Sequence, residues 1–207
     1  MEDPTFAFRA CAGVGALLVW GTWDFATKGS LKRLREYAFL FGVTLLTVVY
    51  ALLHDALTFS LSYDYFALGK GLIAPSFWPD VAFLAAQAGW TAGLVIGLVL
   101  LVVNNPSPVR AQLTYRTLVR TLAGPLVGAL TCAVLGALSA SLWTDSLLMS
   151  LGMERFESAE PEAFVHVWCI HIGSYVGAAL GLTVSCIWVW RRRTRLCSRS
   201  EPALSKR

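Results

Sequence analysis

Long stretches of apolar and small residues, separated by shorter stretches that gather nearly all the charge, organise this chain. Four such stretches are free of Lys and Arg and run over 38–54, 81–103, 122–143 and 164–190. A helix needs roughly 20 mostly apolar residues to cross a hydrocarbon core of about 30 Å, so each is predicted to be a membrane-spanning helix. A fifth stretch, 6–23, carries Arg9 and is just long enough to span. It does not read as a cleaved signal peptide, because Glu2 and Asp3 stand where a positive segment is expected. The pattern predicts an all-α integral membrane bundle of five transmembrane helices, forming one membrane domain over 1–207. An outer cap loop covers 55–80 and a basic tail covers 191–207.

Charge distribution gives that bundle a direction. Cytoplasmic connections collect Lys and Arg. With five crossings, Lys28, Lys32, Arg33, Arg35, Arg110, Arg116, Arg120 and the tail fall on one side, which is 14 of the 17 basic residues. The other side receives ten of the thirteen acids, Asp55, Asp64, Asp80, Asp145, Glu160 and Glu162 among them. The expected topology is N-terminus out and C-terminus in. The formal net charge of +4 is therefore a topological signal. The run Arg191-Arg192-Arg193 directly after a span reads as a stop and an anionic-lipid contact, with no nucleic-acid role. Composition agrees: 56% hydrophobic and 14% charged residues are far from the quarter or so of charged residues in soluble domains, and lipid is the expected surround. The expected location is a cell membrane, that of a bacterial inner membrane, crossed several times.

Small residues recur at four-residue spacing on three of the spans. They are Gly89, Gly93 and Gly97; then Gly124, Gly128, Cys132 and Gly136; then Gly173, Gly177, Gly181 and Ser185. Lipid tails are as apolar as leucine, so helices associate in a bilayer by close packing, which such faces permit. From spacing alone, these faces fit contacts within one chain, a homo-oligomer or a membrane partner equally well.

In so apolar a chain the isolated polar residues are the informative ones. His54 and Asp55 close the first clear span on the outer side, with Thr58 three residues on, and an interfacial helix cap is the simplest role for the pair. The cap loop interleaves Tyr63, Asp64, Tyr65 and Phe66. On the last span His171, Ser174 and Tyr175 fall at i, i+3 and i+4 and share a face, whereas His166 points elsewhere. An imidazole below the outer boundary needs a partner or an aqueous pocket, since unsatisfied polar groups in hydrocarbon cost several kcal/mol. The run Tyr50-Ala51-Leu52-Leu53-His54-Asp55 with Thr58, then Asp64-Tyr65-Phe66, then His171-Ile172-Gly173-Ser174-Tyr175 ahead of Trp188 to Arg193 resembles a family of small bacterial inner-membrane proteins whose activity is uncharacterised. The likeness covers Tyr50 to Arg193, and Asp64 stands where that family usually carries Glu. It implies that His54, Asp55, Thr58, Asp64, Tyr65, His171, Ser174 and Tyr175 belong to one pattern, and it implies no reaction.

Two imidazoles and two carboxylates suffice for a divalent metal ion, with His54, Asp55, Asp64 and His171 as ligands. Thr58, Tyr65, Ser174 and Tyr175 would then support the site. Bis-histidine haem fits less well. Three functions are compatible with the pattern: an outward-facing metal or polar-ligand site, enzymatic or not; a structural or assembly protein whose polar residues form a buried hydrogen-bond network; and a transporter or proton- or ion-relay subunit.

Overall fold

The computed structural model describes residues 4–107, 110–150 and 160–200. The charged positions Glu2, Asp3, Glu154, Arg155, Glu157, Glu201, Lys206 and Arg207 lie outside the described residues, as do the side chains of Arg9, Asp145 and Arg199. The described chain is helical: α1 Pro4–Lys28, α2 Lys32–Leu61, α3 Ala82–Val103, α4 Tyr115–Arg120, α5 Ala123–Ser150 and α6 Pro161–Ser200. Two π-helical turns, Tyr65–Gly69 and Phe77–Val81, lie between α2 and α3. Among the described residues, four helices are long and apolar enough to cross a membrane, within Lys32–Leu61, Phe77–Val103, Tyr115–Thr144 and Pro161–Cys197. Their outward faces carry Leu53, Val102, Leu138 and Leu142, each at least two-thirds exposed. Such a surface is suited to lipid rather than water.

The helices outrun the apolar windows. At about 1.5 Å per residue, α2 is about 45 Å long and α6 about 60 Å, against a core of about 30 Å, so both project beyond it. α2 continues past His54 to Leu61, so His54 and Asp55 lie within the helix and are not its cap. The connection after α2 is correspondingly shorter than 55–80. At the opposite end α6 carries the Arg191–Arg193 run inside the helix, because arginine is a good helix former and nothing there breaks the turn.

Two close-packed antiparallel pairs make the bundle. Along α5 and α6, Gly124 faces Gly181, Gly128 faces Gly177, Cys132 faces Gly173 and Gly136 faces Cys169, four residues forward on one helix for four back on the other. A Cβ at any of these glycines would run into the facing helix backbone. α2 and α3 pair likewise: Gly89 meets Thr47 and Val48, Gly93 meets Thr44, and Gly97 meets Leu40. The glycine faces therefore meet within one chain, which accounts for their spacing without a partner or a second copy. Thr44 and Thr47 satisfy their hydroxyls on their own helix, donating to the carbonyls of Leu40 and Val43 at 2.9 and 2.7 Å.

Between the pairs the contact is looser and is closed at both ends. At one end Phe39, Leu100, Leu113, Leu118, Leu122 and Val189 form a buried cluster. At the other, Tyr65, Phe66, Val81, Phe164 and Val167 form a second one. α1 lies along α2, with Gly21 against Leu34 and Tyr37, Asp24 paired to Arg33 at 3.1 Å, and Phe6 edge-on to Phe83 of α3 at 6.0 Å.

Arg193 locks the basic end. Its side chain is buried, and its guanidinium donates to the carbonyls of Val103 and Asn105, to Ala111 at 2.8 Å and to Arg110 at 3.5 Å. Asn104, also buried, bridges the same segment by accepting from the Leu113 N–H at 2.9 Å and donating to the Leu113 carbonyl at 3.0 Å. This arginine thus has a structural task beyond the lipid contact expected of the run. Arg193→Met keeps the aliphatic stem but strips several carbonyls of a charged donor. It is expected to cost about 2–3 kcal/mol, read as a lower unfolding midpoint in detergent and faster proteolysis of the segment around Asn105.

Candidate metal and polar-ligand site

Tyr50, His54 and Thr58 recur every four residues along α2, and Asp55 stands beside them, so one stripe of the helix carries all four towards α6. The matching stripe of α6 carries His171, Ser174 and Tyr175. Where the stripes meet, Asp55 Oδ1 lies 3.1 Å from His54 Nδ1 and 3.9 Å from His171 Nε2. The two imidazole rings cross edge to face, with centroids 4.6 Å apart. One potential ligand atom from each of His54, Asp55 and His171 lies within 4.8 Å of the other two.

Hydroxyls surround the cluster. Thr58 Oγ1 donates to the backbone carbonyl of His54 at 3.0 Å and stands 3.3 Å from His171 Nε2. Tyr175 OH is 3.4 Å from His171 Nδ1, and Tyr50 OH and Ser174 Oγ form a 2.7 Å hydrogen bond from α2 to α6. His171, Asp55, Thr58 and Ser174 are all buried. One atom is left over: His54 Nε2 is buried without a hydrogen-bond partner among the described residues. Leaving such a group unmatched costs about 1–3 kcal/mol.

The segment after α2 folds over this centre as an aromatic cap. Ser62 Oγ accepts the backbone N–H of Tyr65 at 3.2 Å, which turns the chain back so that the Tyr65 ring stacks on His171 at 4.7 Å and 23°. Phe66, fully buried, approaches His171 edge-on at 6.1 Å, and Phe164 and Trp168 of α6 pack against Tyr65 from outside. Burial pushes the Tyr65 phenol well above its ordinary range, so it stays protonated. Tyr65 therefore acts as a lid over the imidazole.

The structure brings together His54, Asp55 and His171, with Thr58, Tyr65, Ser174 and Tyr175 around them. It does not bring Asp64 into the cluster. Asp64 begins the cap, and its carboxylate accepts the Glu160 backbone N–H at 3.5 Å, which ties the cap to the start of α6. His166 also lies apart, with Nδ1 2.9 Å from the Glu162 carbonyl. Tyr50 heads the run that carries the family resemblance, and the sequence assigns it no role in the site. Its i−4 spacing from His54 was the available signal, and it was the partner on α6, Ser174, that could not be read.

Inward from the cluster, a cavity of about 120 Å³ continues between the helix pairs. That is far above the roughly 10–15 Å³ that admits a water molecule. His54, Asp55, His171 and Tyr175 line one end, and Val43, Ile96, Leu122 and Leu126 the other. No protein family, curated protein or solved structure matches the chain.

Proposed function

We propose that this is a multi-pass membrane protein that binds a divalent metal ion at His54, Asp55 and His171, on the outer side of the bilayer. The observation that carries this reading is the convergence of two imidazoles and a carboxylate from two helices, with one potential ligand atom of each within 4.8 Å of the others. Two histidines and one carboxylate form the ligand set of open zinc sites, which keep a position for water or a substrate, and the cavity adjoins that position. A bound ion at about 2.0–2.2 Å from each donor needs donors about 3–4 Å apart, close to the separations in the cluster. The kinship with the inner-membrane family of uncharacterised activity belongs to the same proposal.

Five spans, with the N-terminus outside and the C-terminus inside a bacterial inner membrane, complete the reading. α1 supports the fifth span: its 25 residues are about 37 Å long, and Phe6 and Asp24, which touch Phe83 at one end of the bundle and Arg33 at the other, stand about 27 Å apart along it. The concentration of Lys and Arg at the Arg193 end supports the orientation.

A structural role has one observation in its favour, the Tyr50–Ser174 bond that fixes the register of α2 against α6 without any ion. A relay of ions through the bundle is less well supported, since Val43, Ile96 and Leu122 line the inner end of the cavity. Elemental analysis of detergent-purified protein separates the first two readings. The expected result is a stoichiometric transition metal in the wild type, lost in both His54→Ala and His171→Ala. Wild-type protein purified without chelator and holding no metal after supply of zinc, copper and iron would leave the structural role standing.

A further inference from the structure

The cavity between the helix pairs changes character along its length. At its outer end are the cluster residues together with three hydroxyls, those of Tyr50, Ser174 and Tyr175. On α2 the lining then descends from His54 to Val43, which is about 16 Å at 1.5 Å per residue, and past Thr47 only aliphatic groups remain. Ile96 from α3, with Leu126 and Ala129 from α5, complete that lower part. The slot is long and narrow, polar at one end and apolar at the other, and its long axis runs with the helices.

It is also open sideways. Ala88 and Ala92 of α3, Leu126 of α5 and Tyr175 of α6 line it and are at the same time exposed on the outer face of the bundle. An exposed face at this level of a spanning bundle looks onto lipid, so a ligand reaches the slot from the bilayer. A water-soluble molecule would have to pass the aromatic cap of Tyr65 and Phe66. The volume of about 120 Å³ is too small for the two chains of a glycerolipid, and a single chain fits only because the slot is open along its side, where the chain stays partly in contact with lipid.

The polar end narrows the headgroup. Tyr50, Ser174 and Tyr175 both give and take hydrogen bonds, Asp55 accepts, and the lining described contains neither Lys nor Arg. An alcohol or a quinone-type carbonyl matches these groups and can also fill the open position of an ion. A phosphate would place a second anion against Asp55 with nothing but the ion to balance both, at a depth where charge is costly.

We propose that the slot binds a single-chain membrane amphiphile with a neutral oxygen headgroup, the head at Asp55, His171 and Ser174 and the chain along Ile96, Leu126 and Val43. This rests on the metal reading for the polar end of the site, whereas the chain-binding slot stands on its own lining.

The test uses full-length protein in phosphatidylcholine nanodiscs and hexadecanol bearing a diazirine in its chain, with labelled residues mapped by mass spectrometry and metal content measured on the same samples. The expected result is labelling concentrated on Ile96, Leu126 and Ala129. Excess hexadecanol or decylubiquinone should compete it away, and hexadecyl phosphate should not. Ala129→Trp, which fills the slot, should abolish the focused labelling and leave the metal in place. Leu126→Trp serves the same purpose at a half-exposed position should the first variant fail to fold. Labelling spread evenly over lipid-facing residues such as Leu138 and Val184 overturns the proposal, and so does equal competition by the phosphate. Focused, competed labelling in protein without metal keeps the slot and removes the metal reading. Stoichiometric metal with dispersed labelling does the reverse.

Discussion

Gly177→Leu is expected to remove the folded protein. Gly177 packs directly on the backbone of Gly128, and a Cβ there would lie 2.5 Å from the Gly128 carbonyl carbon and 2.8 Å from the Cys132 Cβ. Neither neighbour is the flexible end of a side chain, so α5 and α6 can only move apart. Separation costs the close contact along the whole glycine face, which is what holds helices together where lipid offers no hydrophobic drive. Overpacking of a well-fitted interior costs typically about 1–3 kcal/mol, and a backbone-to-backbone contact belongs at or beyond the upper end. Size-exclusion profiles and unfolding midpoints in detergent should show aggregation or a large loss of midpoint. Gly42→Ala is the control. Gly42 is exposed on α2 and no atom stands within 4 Å of a Cβ built there, so alanine should be neutral or stabilise by about 0.5–1 kcal/mol. Equal behaviour of the two variants would mean that the glycine faces do not hold the fold.

Those faces also show what was legible beforehand. Four-residue spacing of small residues on three spans states that helices approach closely, because the period is a property of a single helix. Which helix meets which is a property of the whole chain. The pairing of Gly124 with Gly181 and of Gly128 with Gly177 needs α5 and α6 to run antiparallel in one register, and no local signal encodes that. The helix ends behaved similarly. Hydropathy marks the part of a helix that lipid must cover, whereas the backbone hydrogen bonds continue until something stops them. α2 therefore runs through His54, Asp55 and Thr58 to Leu61, and α6 through its arginines.

The candidate site was legible by composition and not by geometry. His54, Asp55 and His171 stood out because so apolar a chain has few polar groups to place. Asp64 stood out for the same reason, and its carboxylate instead holds the cap to Glu160. A carboxylate six residues from a helix end and one in a connecting segment look alike in sequence. Only the turn made by Ser62 and Tyr65 decides which of them reaches the imidazoles.

Asp55→Asn separates a metal centre from a hydrogen-bond network more sharply than removal of either histidine. Asparagine retains an oxygen that can accept from His54 Nδ1, where Asp55 Oδ1 now stands at 3.1 Å, so a network that serves only to position α2 against α6 loses little. The Tyr50–Ser174 bond and the stacking of Tyr65 on His171 do not involve the replaced charge. A metal ion, in contrast, loses its only anionic ligand, and a neutral amide is a poor substitute for carboxylate at zinc, copper or iron. Even indirect partners of metal ligands change affinity about 10–100-fold, and a direct ligand should do at least as much. Binding to the folded state alone raises stability by about 2.7 kcal/mol when the ion is present at about 100 times its Kd. Wild-type protein should therefore show an unfolding midpoint that rises on titration with the ion, starting from chelator-treated protein. Asp55→Asn should start near the same midpoint and show no rise. A wild type and a variant that start alike, with neither responding to the ion, would make the buried cluster a structural network.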